Sequence, residues 1–286
     1  MLDLRNLSAC LVSKHKKADH IAGILNDAFG WQVNANETFN TDMLGTFSGE
    51  SERTLTALEC AIYKAEKALT LCNDDIGLGS EGSFNPDAYG VMTVNQELLA
   101  CMHRKHGLLA VGKAIRPVHV KTWTLQRDDI GALNEIIEAL PQNQALLMRL
   151  IDPSERNISV QYGNIYKGLL SREQIHAAFA ALSETDAALQ LEVCYDLRAM
   201  HCPERQVTLG LAANNLVERL QSVCPQCNAF DFYAEVRVPG LLCETCQLPT
   251  SMTKAFKATC NHCDFKSLKP VEQRFAETVN CPFCNP

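Results

Sequence analysis

Apolar positions along the chain switch repeatedly between two spacings. The apolar run at residues 7–12 predicts a strand. Ala18, Ile21, Ala22, Leu25 and Ala28 then recur at the three-to-four interval of a helix, which Gly30 would stop. Residues 31–35 predict a second short strand, and the polar, glycine-bearing stretch 36–53 a loop. Leu55, Leu58, Ile62, Ala65 and Leu69 line one face of a second helix, with Thr54 as its cap. Residues 76–84 read as a strand entering a turn at Asn85-Pro86. Residues 97–103 and 108–115 read as a hairpin around Lys105-His106-Gly107. Further on come a helix over 128–140 closed by Pro141, a strand over 145–151, a helix over 172–182 and a strand over 189–197. A last helix runs to about Leu220 with Pro203 in its first turn. Strands alternating with helices predict an α/β layered domain with a mixed sheet over residues 1–221, divisible near 125/126, before a smaller unit over 222–286.

Charge narrows the partners. The formal net charge is −7, so the chain as a whole is no polyanion binder, and nucleic acid would need a local basic patch. No stretch approaches the roughly 20 apolar residues of a membrane span. The opening Met1-Leu2-Asp3-Leu4-Arg5 lacks the layout of a signal peptide, and Lys14, Lys16 and Lys17 soon follow, so a cytoplasmic protein with no membrane contact is expected.

The cysteines change the picture most. Of 14, eight form four C-x-x-C pairs after residue 223: Cys224/Cys227, Cys243/Cys246, Cys260/Cys263 and Cys281/Cys284. In a reducing compartment such knuckles read as metal ligands, and four copies at ribbon spacing favour zinc over redox or iron–sulfur chemistry. Two structural zinc ions are therefore expected, each closed by four cysteines and so without an open position for catalysis. Sequential pairing, 224/227 with 243/246 and 260/263 with 281/284, is the expected arrangement. A nested one, with 243/246 joined to 260/263, is the alternative. Cys10, Cys60, Cys72, Cys101, Cys194 and Cys202 are expected to be small buried apolar residues. Lys254, Lys257, Lys266, Lys269 and Arg274, interleaved with Phe256, Phe265 and Phe275, make the second ribbon a possible contact surface for nucleic acid or protein.

Candidate chemistry outside the knuckles lies in three short stretches. Ser13-Lys14-His15-Lys16-Lys17 is a strand-to-helix turn of the kind that gathers phosphate. Glu59 and Lys64 share the second helix. Glu81, flanked by small residues in Gly77-Leu78-Gly79-Ser80-Glu81-Gly82-Ser83-Phe84, suits a hard cation. Asp196, Arg198, His201 and Arg205 form a further group between a strand end and a helix start, where arginines can take phosphate or carboxylate. Thr46, Ser48, Glu50 and Arg53 make a polar loop.

Val12-Ser13-Lys14-His15-Lys16-Lys17, Glu59-Cys60-Ala61-Ile62-Tyr63-Lys64-Ala65 and Ser80-Glu81-Gly82 together resemble motifs of the inosine/xanthosine triphosphatase-like nucleotide pyrophosphatases. Lys14 departs from the asparagine of that pattern, and no Gly-Phe-Gly-Tyr-Asp-Pro segment follows. The resemblance implies that Lys17 and Lys64 hold phosphates and that Glu59 and Glu81 hold magnesium. The whole chain also resembles a bacterial family known as a domain of unknown function. That likeness rests on the Lys-His start, Gly45–Glu50, Gly-Ser-Glu-Gly-Ser-Phe, Asp196-Leu197-Arg198-Ala199 and the closing Cys284-Asn285-Pro286. Two functions follow as expectations. One is magnesium-dependent hydrolysis of a nucleoside triphosphate or other phosphorylated nucleotide, through Glu59 and Glu81 with Ser13, Lys14, Lys17, Lys64, Arg198 and Arg205. The other is a non-catalytic adaptor acting through the ribbons.

Overall fold

A computed structural model describes residues 2–44, 54–152, 162–184 and 189–286. The polar loop containing Thr46, Ser48, Glu50 and Arg53 lies outside them. The chain divides into two compact units, one of residues 4–108 and 112–216, the other of residues 217–286 with 1–3 and 109–111.

The first unit opens with β1 (Ser8–Val12), α1 (Ala22–Phe29), β2 (Gln32–Asn36), α2 (Ala57–Leu71), β3 (Ile76–Pro86), β4 (Thr93–His103) and β5 (Gly107–Val118). Their strands form one mixed sheet in the order β2-β1-β3-β4-β5. β1 runs parallel to both β2 and β3, while β4 runs antiparallel to β3. The first strand and the Gly-Leu-Gly-Ser strand therefore lie side by side. β1 is buried along four of its five residues, as a strand covered on both faces should be.

Glycine spacing explains how α2 settles on β3. A Cβ at Gly77 would strike the carbonyl oxygen of Ala65, and one at Gly79 that of Ala61, so the helix backbone lies directly on the strand. Side chains alternate along β3. Residues 77, 79 and 81 consequently face α2, and residues 80 and 82 face the opposite side of the sheet.

The local expectations need three adjustments. Thr56, not Thr54, caps α2. Its hydroxyl accepts from the Glu59 amide, and the Glu59 carboxylate accepts from the Thr56 amide, closing a capping box. The first helix is broken: residues 17–20 form a 3-10 turn after Lys16, whose φ of 50° is left-handed, and α1 begins at Ala22. β3 continues through Asn85-Pro86, and the chain reverses only beyond it, where the Asp87 carboxylate accepts from the Val91 and Met92 amides.

The same unit continues with β6 (Thr122–Leu125), α3 (Ile130–Glu138), β7 (Leu146–Ile151), β8 (Tyr162–Leu169), α4 (Arg172–Ser183), β9 (Gln190–Tyr195) and α5 (Pro203–Gln221), the last turn of which belongs to the second unit. A second, antiparallel sheet is ordered β6-β9-β7-β8, and α3 and α4 pack on it around Leu133, Met148, Phe179 and Val193. Arg149 and Glu192 sit directly opposite one another on β7 and β9 and pair at 2.7 Å. The second unit contains β10 (Val236–Pro239), β11 (Thr253–Thr259) and β12 (Lys266–Pro270), an antiparallel sheet of three strands. Among the described residues no helix is long and apolar enough to cross a membrane.

Candidate functional site

Two kinds of site emerge, and the cysteine knuckles are the simpler. Each repeats one backbone turn. The amides of Asn228, Gln247, Asp264 and Asn285 donate to the carbonyls of Cys224, Cys243, Cys260 and Cys281. The residue after each of the first three pairs is left-handed, with φ of 59° at Asn228, 59° at Gln247 and 58° at Asp264. Such turns leave both sulfurs of a pair on one side.

The pairing is neither sequential nor nested. Cys224 and Cys227 meet Cys260 and Cys263, and Cys243 and Cys246 meet Cys281 and Cys284, so the two sites interleave along the chain. Hydrogen bonding supplies the reason. β10 and β11 pair antiparallel, with Val236 opposite Lys257, and bring the third knuckle back to the first. The Glu244 amide donates to the Ala276 carbonyl and the Ala276 amide to the Leu242 carbonyl, carrying the fourth knuckle to the second. Sulfur–sulfur separations are 3.7 Å for Cys224–Cys263, 3.5 Å for Cys227–Cys260 and 3.5 Å for Cys246–Cys281. A tetrahedron with Zn–S bonds of about 2.3 Å has edges of about 3.8 Å, so both groups fit a zinc ion.

Two of the scattered cysteines also differ from expectation. Cys10 on β1 and Cys72 at the end of α2 are joined as a disulfide rather than standing apart.

The second site is a set of buried charges in the first unit. Lys17 follows the left-handed Lys16, and its ammonium donates to the Ser80 carbonyl and hydroxyl, each at 3.2 Å. On the α2 face of β3, Lys64 forms an ion pair with Glu81. On the opposite face, Arg205 of α5 reaches Glu97 of β4 at 2.6 Å and donates to the Leu197 carbonyl at 2.8 Å. Asn95 also donates to Glu97. Gly82 stands opposite Glu97 in register, and a Cβ there would collide with the Glu97 carboxylate. Lys17, Lys64, Glu81, Glu97 and Arg205 are all more than nine-tenths buried. Burial, then repulsion from Arg205 and Lys64, outweighs the attraction of Glu97 and Glu81 and brings the Lys17 ammonium down to about 7. Among the described residues no carboxylate is bonded to it.

The remaining expected residues fall outside this group. Glu59 is exposed on the first turn of α2, where the Thr56 amide and hydroxyl hold its carboxyl below the usual range. Its carboxylate is engaged in the helix cap, and Glu81 is engaged with Lys64. Lys14 bonds Asn40 at 2.5 Å. The Ser13 hydroxyl accepts from the His15 amide. Arg198 clamps Asp196, whose second oxygen accepts from the Gly168 amide, so this pair holds the loop between β9 and α5. Burial pushes the Asp196 carboxyl up, but the bonds and charge of Arg198 prevail and hold it low. Glu97 and Asn95 were not foreseen. The only signal was a carboxylate opening an otherwise apolar strand, Glu97-Leu98-Leu99-Ala100-Cys101.

Residues 64–286 match a family described as a domain of unknown function, DUF6671. The chain belongs to the DUF6671 family. No curated protein and no solved structure matches it. The DUF6671 match takes in Lys64, Glu81, Glu97, Arg205 and all eight knuckle cysteines. It begins after β1 and the Lys17 turn.

Proposed function

We propose that the first unit binds a phosphorylated nucleotide and hydrolyses it, while the two four-cysteine groups bind zinc and fold the second unit. The observation that carries this reading is Lys17. A buried ammonium that bonds no carboxylate among the described residues carries a desolvation cost that a purely structural role does not repay. A phosphate beside it would supply the missing counter-charge through a charge-assisted hydrogen bond. The position agrees, since ligands of open α/β sheets collect at the carboxyl ends of the parallel strands, where β1 runs into the Lys17 turn. The motif resemblance to nucleotide pyrophosphatases points to the same turn.

Magnesium bound with the nucleotide would offset phosphate charge and activate water, as hard cations do in such reactions. Glu81 is the carboxylate that would hold it; Glu59 is left to its cap. Lys17 would grip a phosphate oxygen, and Lys64, once Glu81 has another partner, a second.

The test is a panel of nucleoside triphosphates, inosine and xanthosine forms included, assayed with and without magnesium on wild type, Lys17→Met and Glu81→Gln. Wild type should release pyrophosphate or phosphate from at least one member, and each variant should lose roughly a hundredfold. A second reading has its own support: Lys64–Glu81 and Arg205–Glu97 already close as pairs, which suits an internal network that only ties the helices to the sheet. Under it Lys17→Met would raise the melting temperature and no nucleotide would alter wild type.

A further inference from the structure

We infer that one face of the β10-β11-β12 sheet is a docking surface for a single-stranded polynucleotide, with Phe256 as a stacking platform between cations. The second unit as a whole has no basic excess, because its cations are matched by acids along residues 217–286. Their placement is uneven. The three strands carry Arg237, Lys254, Lys257, Lys266 and Lys269 and no carboxylate at all. Among the described residues none of these five cations is in an ion pair.

Register sorts them by face. Arg237 stands opposite Phe256 across β10 and β11, and Phe256 opposite Lys269 across β11 and β12. Residues directly opposite in a sheet share a face. Arg237, Phe256 and Lys269 therefore form one row, cation–ring–cation, with Lys254 on the same face two positions along β11. Arg237, Lys254 and Lys269 are exposed and Phe256 is half-buried. On the other face, Val236, Lys257 and Thr259 line a pocket of about 140 Å³ together with Asp231, Tyr233 and Glu235. There Asp231 and Glu235 are taken up by Arg219. Asp231 and Glu235 thus lie on the Lys257 face, while the strand residues of the Phe256 face include three cations and no carboxylate.

Three unneutralised cations around a ring suit a strand whose phosphates track the cations and whose base lies on the ring. A duplex hides its bases, and an acidic peptide offers nothing to stack, so neither uses Phe256. This surface is independent of the nucleotide site, since it lies in the other unit and shares no residue with it.

The experiment is fluorescence anisotropy of a labelled single-stranded DNA of about 12 nucleotides, a length within the usual footprint of such surfaces. It is run on the full chain loaded with zinc, with a duplex and a polyglutamate peptide as competitors. Wild type should bind the single strand, and Phe256→Ala should weaken binding about tenfold or more, the usual effect of losing one stacked base. Arg237→Ala combined with Lys269→Ala should reduce the slope of log K against log salt by about 1.4, at about 0.7 per phosphate contact. Lys257→Ala, on the opposite face, should change neither quantity. Zinc content and circular dichroism unchanged from wild type show that each variant is folded. The inference fails if wild type does not bind, if Phe256→Ala binds as wild type does, or if duplex or polyglutamate competes as well as the single strand.

Discussion

Lys17 carries an energetic cost, set against the phosphate contact proposed for it. Folded, it releases its proton near 7, while in the unfolded chain it keeps the ordinary value of 10.5. Between those values the unfolded state holds more protons, so stability rises with pH across that window and the deficit is full below it. Wild type should therefore gain on the order of 1–3 kcal/mol relative to Lys17→Met from pH 7 to about 9.5, measured by urea denaturation at both ends. Parallel behaviour of the two proteins would show that the buried ammonium is not strained. A second residue-level outcome concerns Cys10 and Cys72. With that disulfide formed, the unfolded, zinc-stripped and unreduced chain should titrate the 12 remaining thiols; a titration of all 14 would mean the pair is reduced.

At the scale of elements, α2 separates helix stability from chemistry. Thr56→Ala removes the hydroxyl half of the capping box and should cost about 1 kcal/mol. Nucleotide turnover should be unchanged, because Glu59 and its cap lie outside the buried charge group. A large loss of turnover without unfolding would return Glu59 to the site. Gly79→Ala should cost roughly 1–3 kcal/mol in a melting experiment, since the new methyl meets the Ala61 carbonyl and overpacks the helix–strand contact. Much of this architecture was legible. The apolar runs of β1, β3 and β7 and the amphipathic faces of α2 and α4 have strong periodicity. β6, only four residues with one buried, and β8, with glycine and lysine in it, carry too weak a pattern to be seen. The cap shifted from Thr54 to Thr56 because either threonine can cap, and only the reciprocal bond with Glu59 decides.

For the whole molecule, the cysteine groups that could hold zinc were legible in identity but not in partnership. C-x-x-C spacing fixes which residues bind and says nothing about which knuckles a sheet brings together. The interleaved pairing has a distinct consequence for metal content, read by mass spectrometry. Cys224→Ser with Cys260→Ser should retain one zinc per chain, because both changes strike one group, whereas Cys224→Ser with Cys243→Ser should retain none. The reverse pattern would restore sequential pairing. The buried charge group was half legible for a similar reason. Lys17, Lys64 and Glu81 stood in recognisable motifs, while Glu97 gains meaning only once α5 returns Arg205 to it across 108 residues.

The claim that a phosphate meets Lys17 is tested most directly by calorimetry of a magnesium-bound, nonhydrolysable nucleoside triphosphate analogue near pH 8. The titration is run in two buffers of different ionisation enthalpy. At that pH the Lys17 amine of the free protein is mostly neutral, and a bound phosphate would restore its charged form. The account predicts binding with uptake of about one proton, absent in Lys17→Met. Binding without proton uptake, or none at millimolar ligand, would contradict it.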